Sequence, residues 1–181
     1  IGVGLVGFIT IVAASASTSI RATVDDGFVS DFVVQSNAGF QGGLSPDVAD
    51  DIGALPEVEA VAQLRSGIAQ VNGTGTFLTA VWAESFAEVA DVGVAEGDIT
   101  DLAREGTIAV YDEKADDEGW ALGDTVSVVY PATGEQQLEI VAVYDQQEVL
   151  GEYATGLSTF DANNEVRLDA IVFVSLAEGV S

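Results

Sequence analysis

The chain has 181 residues, no histidine, cysteine or methionine, and 30 acidic against 5 basic residues, which gives a net charge of −25. This charge argues against nucleic acid or anionic lipid headgroups as partners, and the lack of His and Cys excludes Ser–His and Cys–His catalysis and histidine-based zinc sites. Hydrophobic residues make up 48% of the chain, enough for the core of one ordinary domain.

Residues 1–20 carry no charged side chain, and the first charge is Arg21. Twenty helical residues span roughly 30 Å, the thickness of the hydrocarbon core of a bilayer. The sequence therefore predicts a transmembrane helix, with its outer extension, over residues 1–24, and Gly4 and Gly7 would let another helix pack closely. Because the chain has no methionine, we expect it to come from inside a longer protein.

Three other interpretations of this stretch compete with the membrane helix. Ala14-Ser15-Ala16 fits a signal-peptidase site, so residues 1–16 resemble the end of a truncated signal peptide. A buried helix of a globular fold has the same apolar pattern. The glycines at positions 2, 4 and 7 match a dinucleotide-binding fingerprint, but no strand precedes them, so a cofactor site is rejected.

The acidic sequence after Arg21 is typical of an extracytoplasmic segment, because cytoplasmic flanks of membrane helices are rich in Lys and Arg. Residues 25–181 are expected to form one α+β domain outside the cytoplasm. Predicted strands cover residues 31–36, 58–71, 76–82, 107–111, 124–130, 135–144 and 168–175, and predicted helices cover 46–55, 84–92 and 112–118. Turns are predicted at Asn72-Gly73 and at residues 131–134, a turn-rich crossover at 94–102, and residues 146–165 show no clear period.

The candidate metal-binding segment is the acidic run at residues 112–118. An EF-hand loop needs an oxygen ligand at position three and glycine at position six, where this run has Lys114 and Asp117. A solvated helix face explains the run better, as it does the acid pairs at 25–26 and 50–51. No catalytic, cofactor-binding or metal-binding residue is assigned. The chain is therefore not expected to be an enzyme, and a carboxylate hydrolase would need two converging acids.

Other exposed or aromatic positions are candidates for recognition. Trp82, Phe86 and Trp120 are interpreted as core residues in preference to the lining of a ligand groove. Residues 41–43 and 146–164 are the expected contact surfaces, because irregular segments carry much recognition. Asn72-Gly73-Thr74 also fits a glycosylation sequon, although a tight turn is its stronger meaning.

Taken together, the order of these segments resembles a known family. Residues 1–20 resemble the first helix of an FtsX-like ABC transporter permease, and the rest resembles a MacB-like periplasmic core domain. The resemblance is carried by residues 31–34, 43–46, 55–58, 94–97, 108–111, Ala115, 119–126, 140–145 and 171–177.

This resemblance implies a mixed sheet with short helices, erected outside the cytoplasm after a membrane helix and truncated here at its C-terminal end. It implies a permease subunit in the cell membrane that couples ATP-driven motion to the handling of a lipid, lipoprotein, peptide or partner protein. The implied partners are a cytoplasmic ABC ATPase, which binds the ATP, a second permease, and an extracytoplasmic protein or lipid. The alternative is a secreted or membrane-anchored module that binds Ca²⁺ or a cell-wall ligand.

Overall fold

The computed structural model describes residues 18–22, 30–36 and 43–177. The strands in these ranges are β1 Thr18–Ala22, β2 Phe32–Ser36, β3 Val58–Val71, β4 Thr74–Val81, β5 Val94–Gly97, β6 Thr107–Tyr111, β7 Thr125–Tyr130, β8 Gly134–Tyr144, β9 Tyr153–Gly156 and β10 Ile171–Leu176. The helices are α1 Pro46–Gly53, α2 Ala83–Val89, α3 Asp112–Glu118, α4 Gln147–Leu150 and α5 Leu157–Asn163, with a 3₁₀ helix at Ile99–Ala103.

The strands form one mixed sheet in the order β1-β2-β10-β3-β4-β9-β6-β8-β5. Most neighbours are antiparallel, while β4 with β9 and β6 with β8 are parallel. The prediction of a mixed α+β sheet with short helices is therefore confirmed for the described part of the chain.

The long strand β3 belongs to two parts of this sheet. Its first half, Val58 to Leu64, pairs with β10, and its second half, Leu64 to Val71, pairs with β4. At its end Gln70 and Val71 pair with β7, which also pairs with β8. The pairings β3-β4-β9-β6-β8-β7 thus close into a ring, and such a small barrel hides strand edges that would otherwise be open.

Three apolar cores hold this arrangement together. The barrel is filled by side chains such as Val71, Leu78, Ile108, Val128, Tyr130 and Ile140. Helix α1 covers β2, β10 and the start of β3 with residues that include Val48 and Ile52. Helix α2 and the 3₁₀ helix cover the other face, where the rings of Phe86 and Phe173 meet edge to face at 6.4 Å.

The local signals in the sequence mark several element ends correctly. Helix α1 begins at Pro46, where the predicted helix begins, and the Ser45 hydroxyl at its N-cap donates to Asp47 Oδ2 at 3.0 Å. The β3–β4 hairpin turns at Asn72 and Gly73, which both have positive φ, of 46° and 79°. A type I′ turn requires this conformation at both central positions, so the predicted turn is confirmed.

The prediction of a continuous helix over residues 1–24 is wrong at residues 18–22. These residues form β1, which pairs antiparallel with β2 and places Ile20 opposite Val34. Thr18 and Ile20 are β-branched and favour extended chain, and β2 supplies hydrogen-bond partners that a helix end would lack. The rest of the predicted helix, residues 1–17 and 23–24, lies outside the described residues, and no helix in the described part is long and apolar enough to cross a membrane.

Candidate functional site

A buried ion network lies where β3, α5 and the segment before β10 meet. Arg65 in β3 donates from Nε to Asp169 Oδ1 at 2.8 Å and from Nη1 to Asp161 Oδ1 at 2.5 Å. Arg65 is 5% exposed and Asp169 is fully buried. The backbone of Asp169 also exchanges two hydrogen bonds with Leu44, at 2.8 and 2.9 Å. The network therefore joins three elements and the residue that leads into α1.

The protonation of this network follows from its burial and its charges. Burial alone lowers the pKa of Arg65, but the hydrogen bonds and charges of Asp169 and Asp161 outweigh it and raise the pKa. Burial raises the pKa of the Asp169 carboxyl, and the contact with Arg65 offsets this only in part. Oδ2 of Asp169 is buried and has no hydrogen-bond partner among the described residues. Because Asp169 is fully buried and holds Arg65 in place, the network suits a clamp better than acid–base chemistry on a substrate.

A groove runs beside this network, and we call it the Trp82 groove. It consists of two adjoining cavities of about 360 and 320 Å³, which share Gln63 and Trp82 as lining residues. The larger cavity is also lined by Arg65, Glu84, Ser158 and Asp161. The smaller cavity is also lined by Asp50, Gly53, Glu59 and Ser85. The groove therefore extends from α1 across β3 and the start of α2 to α5.

Two side chains set the chemistry of the Trp82 groove. Trp82 is 49% exposed as a residue, and its indole Nε1 donates to Glu84 Oε2 at 3.3 Å. Gln63 is only 6% exposed, and within the described residues its carboxamide has no hydrogen-bond partner. Neither carboxamide atom is among the fully buried atoms that lack a partner, so the amide meets the solvent of the groove, where a bound polar group can replace water. The groove thus offers an aromatic face, an amide and four carboxylates at its border.

The wall of the groove formed by α5 is held by packing and polar contacts. The Phe160 ring lies where a Cβ on Gly67 would approach within 2.9 Å, so β3 and α5 meet closely at this glycine. Thr159 Oγ1 accepts a hydrogen bond from the Gly106 amide at 2.9 Å, and Asn163 Oδ1 accepts one from Thr133. Helix α5 is therefore fixed across one end of the barrel.

The structure does not bring the three predicted aromatic residues together. Phe86 is fully buried in the core under α2, and Trp120 packs against the barrel core, 6.5 Å from the Tyr153 ring. The core interpretation is confirmed for these two residues. It is wrong for Trp82, which is half exposed because it lies at the surface between the end of β4 and the start of α2.

The acidic segments do not form a metal site in the described part of the chain. Residues 112–118 form α3, where Lys114 lies 3.6 Å from Glu152, and no described group of three or more potential ligands converges. Asp50 and Asp51 are exposed on α1. The pair at 25–26 and the predicted contact residues 41–42 lie outside the described residues, whereas the contact segment 146–164 holds α4, β9 and α5.

Comparisons with known proteins point to one family. The family model described as MacB-like periplasmic core domain matches residues 1–181. No curated protein sequence matches the chain.

Three solved structures are similar in fold. The periplasmic region of MacB from Actinobacillus actinomycetemcomitans has a TM-score of 0.56 and 14% identity, covering 76% of this chain and 67% of that one. The extracellular domain of the noncanonic ABC-type transporter YknZ from Gram-positive bacteria has a TM-score of 0.57 and 15% identity, covering 80% and 81%. A domain of a putative permease protein from Porphyromonas gingivalis has a TM-score of 0.54 and 17% identity, covering 91% and 75%.

Proposed function

The chain belongs to the family of MacB-like periplasmic core domains, and from this we propose that it is the extracytoplasmic domain of an ABC transporter permease that transmits ATP-driven motion. The observation that carries the proposal is the family match over the whole chain, supported by the mixed-sheet fold. ATP binds to a separate ATPase subunit or domain in the cytoplasm, and the permease works as a dimer. The handled substrate is a lipid, a lipoprotein, a peptide or a partner protein.

The membrane crossing in this proposal lies in the residues before β1. About 17 apolar residues are the shortest run that crosses a bilayer as a helix. Residues 1–17 contain no charged side chain, which is consistent with that position. The domain after them lies outside the cytoplasm, as the acidic sequence behind Arg21 favours.

A path for mechanical coupling leads from β1 into the domain. Strand β1 is hydrogen-bonded to β2, β2 to β10, and β10 to the first half of β3. A ladder of this kind shifts as one body, because sliding any strand would break all of its hydrogen bonds together. Strand β3 then continues into the barrel, so a displacement of β1 reaches both parts of the sheet.

Site-specific thiol labelling of the intact permease tests this placement. In a permease background without other cysteines, Asp47→Cys in the exposed part of α1 and Glu135→Cys in β8 each provide a single thiol, because this chain has none. We expect a membrane-impermeant maleimide to label both variants in intact cells. Ala109→Cys, at a fully buried position, is the matched control and should react only after unfolding. Labelling of Asp47→Cys and Glu135→Cys only after permeabilisation would place the domain in the cytoplasm and refute the proposal.

A further inference from the structure

We propose that the Trp82 groove binds a basic segment of an extended polypeptide, with a lysine or arginine side chain on the indole ring and a backbone amide on Gln63. The inference names the kind of partner that the domain meets. That the partner binds outside the cytoplasm rests on the proposed function. The binding itself depends only on the groove.

The Gln63 carboxamide is the reason to expect a polypeptide. It presents both a donor and an acceptor, and a backbone amide presents the complementary pair. The residue is 6% exposed, its carboxamide has no hydrogen-bond partner among the described residues and reaches the solvent of the groove, and it lines both cavities. A strand-like segment laid along the groove would pair with Gln63 at its centre and extend into a cavity on either side.

The charges around the groove are the reason to expect a basic segment. Asp50 and Glu59 line one cavity, and Glu84 and Asp161 line the other. The single cation in the lining, Arg65, is already neutralised by Asp161 and Asp169. The groove therefore has a negative electrostatic potential. A cationic side chain bound in it would lie close to the carboxylates, where salt screens their attraction least.

Trp82 gives the position of the cationic side chain. The bond from its Nε1 to Glu84 fixes the ring and leaves half of the residue open to solvent. An ammonium or guanidinium group over an indole face is attracted by the ring, and Glu84 beside it adds a carboxylate partner.

Binding of two blocked peptides to the full chain tests this proposal. One peptide alternates alanine and lysine, and the other has norleucine, which is uncharged and similar in length, at each lysine position. We expect the lysine peptide to bind about tenfold more tightly, from one cation–π contact and nearby carboxylates. Calorimetry or tryptophan fluorescence measures both affinities, and a chito-oligosaccharide serves as a probe for a glycan ligand.

Variants assign the binding to the groove. Trp82→Leu and Gln63→Leu should each weaken the lysine peptide about fivefold, and Glu84→Gln should weaken it without changing the norleucine peptide. Gln137→Leu in β8 and Asp116→Asn in α3, both exposed and outside the groove lining, are the matched controls and should change affinity less than about twofold. If Gln63→Leu does not fold, the exposed Trp82→Leu variant decides the result.

Three outcomes overturn the proposal: equal binding of both peptides, variants that bind like the controls, or binding of the oligosaccharide alone. These outcomes are separate from the thiol-labelling result. A groove that fails to bind leaves the extracytoplasmic placement intact, and a cytoplasmic placement leaves measured peptide binding intact.

Discussion

Replacing Arg65 by methionine removes the cation from the buried network while keeping most of the side-chain volume. Arg65 is 5% exposed, and its guanidinium is the donor to both Asp169 and Asp161. In the variant Asp169 has no hydrogen-bond partner for either carboxylate oxygen, because Oδ2 has none in the native chain. The fully buried Asp169 carboxylate would then have neither a positive charge nor a hydrogen-bond donor beside it.

The expected loss of stability at pH 7 is about 3–4 kcal/mol. Removing one partner of a buried ion pair costs about 3–5 kcal/mol. Protonation of Asp169 limits this loss, since neutralising a carboxyl with an ordinary pKa of 3.8 at pH 7 costs about 4 kcal/mol. For a domain of this size the melting temperature should fall by about 10 °C.

The pH dependence of the loss separates this explanation from a simple packing defect. Burial raises the pKa of Asp169 in the folded chain, and removing Arg65 raises it further. A carboxyl whose pKa is raised by folding adds stability that is complete below its pKa in the unfolded chain, near 3.8. This stability is lost as the pH rises through its pKa in the folded chain. The difference between variant and native chain should therefore be small at pH 4 and large at pH 7.

Denaturant unfolding at both pH values measures this difference. Arg167→Met is the matched control, because this exposed arginine makes a single hydrogen bond, to the Asp161 carbonyl at 3.2 Å, and should cost less than about 0.5 kcal/mol. The double change Arg65→Met with Asp169→Leu should recover at least half of the loss. A cost equal to that of Arg167→Met, or the same cost at both pH values, would refute the reasoning.

Two further predictions concern close packing and buried phenols. Gly156→Ala should lower the free energy of unfolding by on the order of 3 kcal/mol, because the new Cβ would lie 1.9 Å from the Leu102 carbonyl oxygen. Chemical denaturation measures this loss, and Gly75→Ala, whose Cβ would meet no atom within 4 Å, is the control. Equal stability of the two variants would contradict the close packing at Gly156. Burial raises the pKa of Tyr153 to about 12, so the stability gained by burying the neutral phenol is complete below pH 10 and lost as the pH rises through about 12. Ultraviolet titration of the native chain and of Tyr153→Phe should show this phenol still neutral at pH 11, and ionisation near pH 10 would contradict its burial.

Local sequence patterns predicted much of this fold because they act over a few residues. The Asn72-Gly73 turn, the proline start of α1 and the β7–β8 hairpin each depend on nearby backbone geometry. The barrel was not predictable in this way. Its ring closes through only two residue pairs between β3 and β7 and through the short strand β9, whose residues lie in a polar segment without a clear period.

The candidate site was harder to predict, because its properties arise from distant partners. Arg65 meets Asp161 and Asp169, which lie 96 and 104 positions further along the chain. Gln63 and Arg65 alternate with apolar residues in β3, so the pattern alone would place them on a solvated face. The one local signal was Arg65 as the single charged residue between Glu59 and the end of β3 at Val71.

The N-terminal stretch shows the limit of apolar content as a guide to secondary structure. A continuous apolar run has no period, so it fits a membrane helix and a buried strand equally well until a partner strand is known. Thr18–Ala22 follows the apolar run and contains Thr18, Ser19 and Arg21; its partner is β2, and the backbone pairing decides for a strand.

The Trp82 groove and strand β1 are connected through β3, which lines the groove and ends the strand ladder that starts at β1. The ladder from β1 through β2 and β10 ends on β3 at residues 58–64, the stretch that also carries Gln63. Arg65 lies one residue beyond this stretch and ties α5, the far wall of the groove, to the same strand. A displacement of β1 would therefore move β3, the floor of the groove, through the strand ladder. The α5 wall would follow through the Arg65 network, so a difference between the two movements would change the width of the groove between β3 and α5.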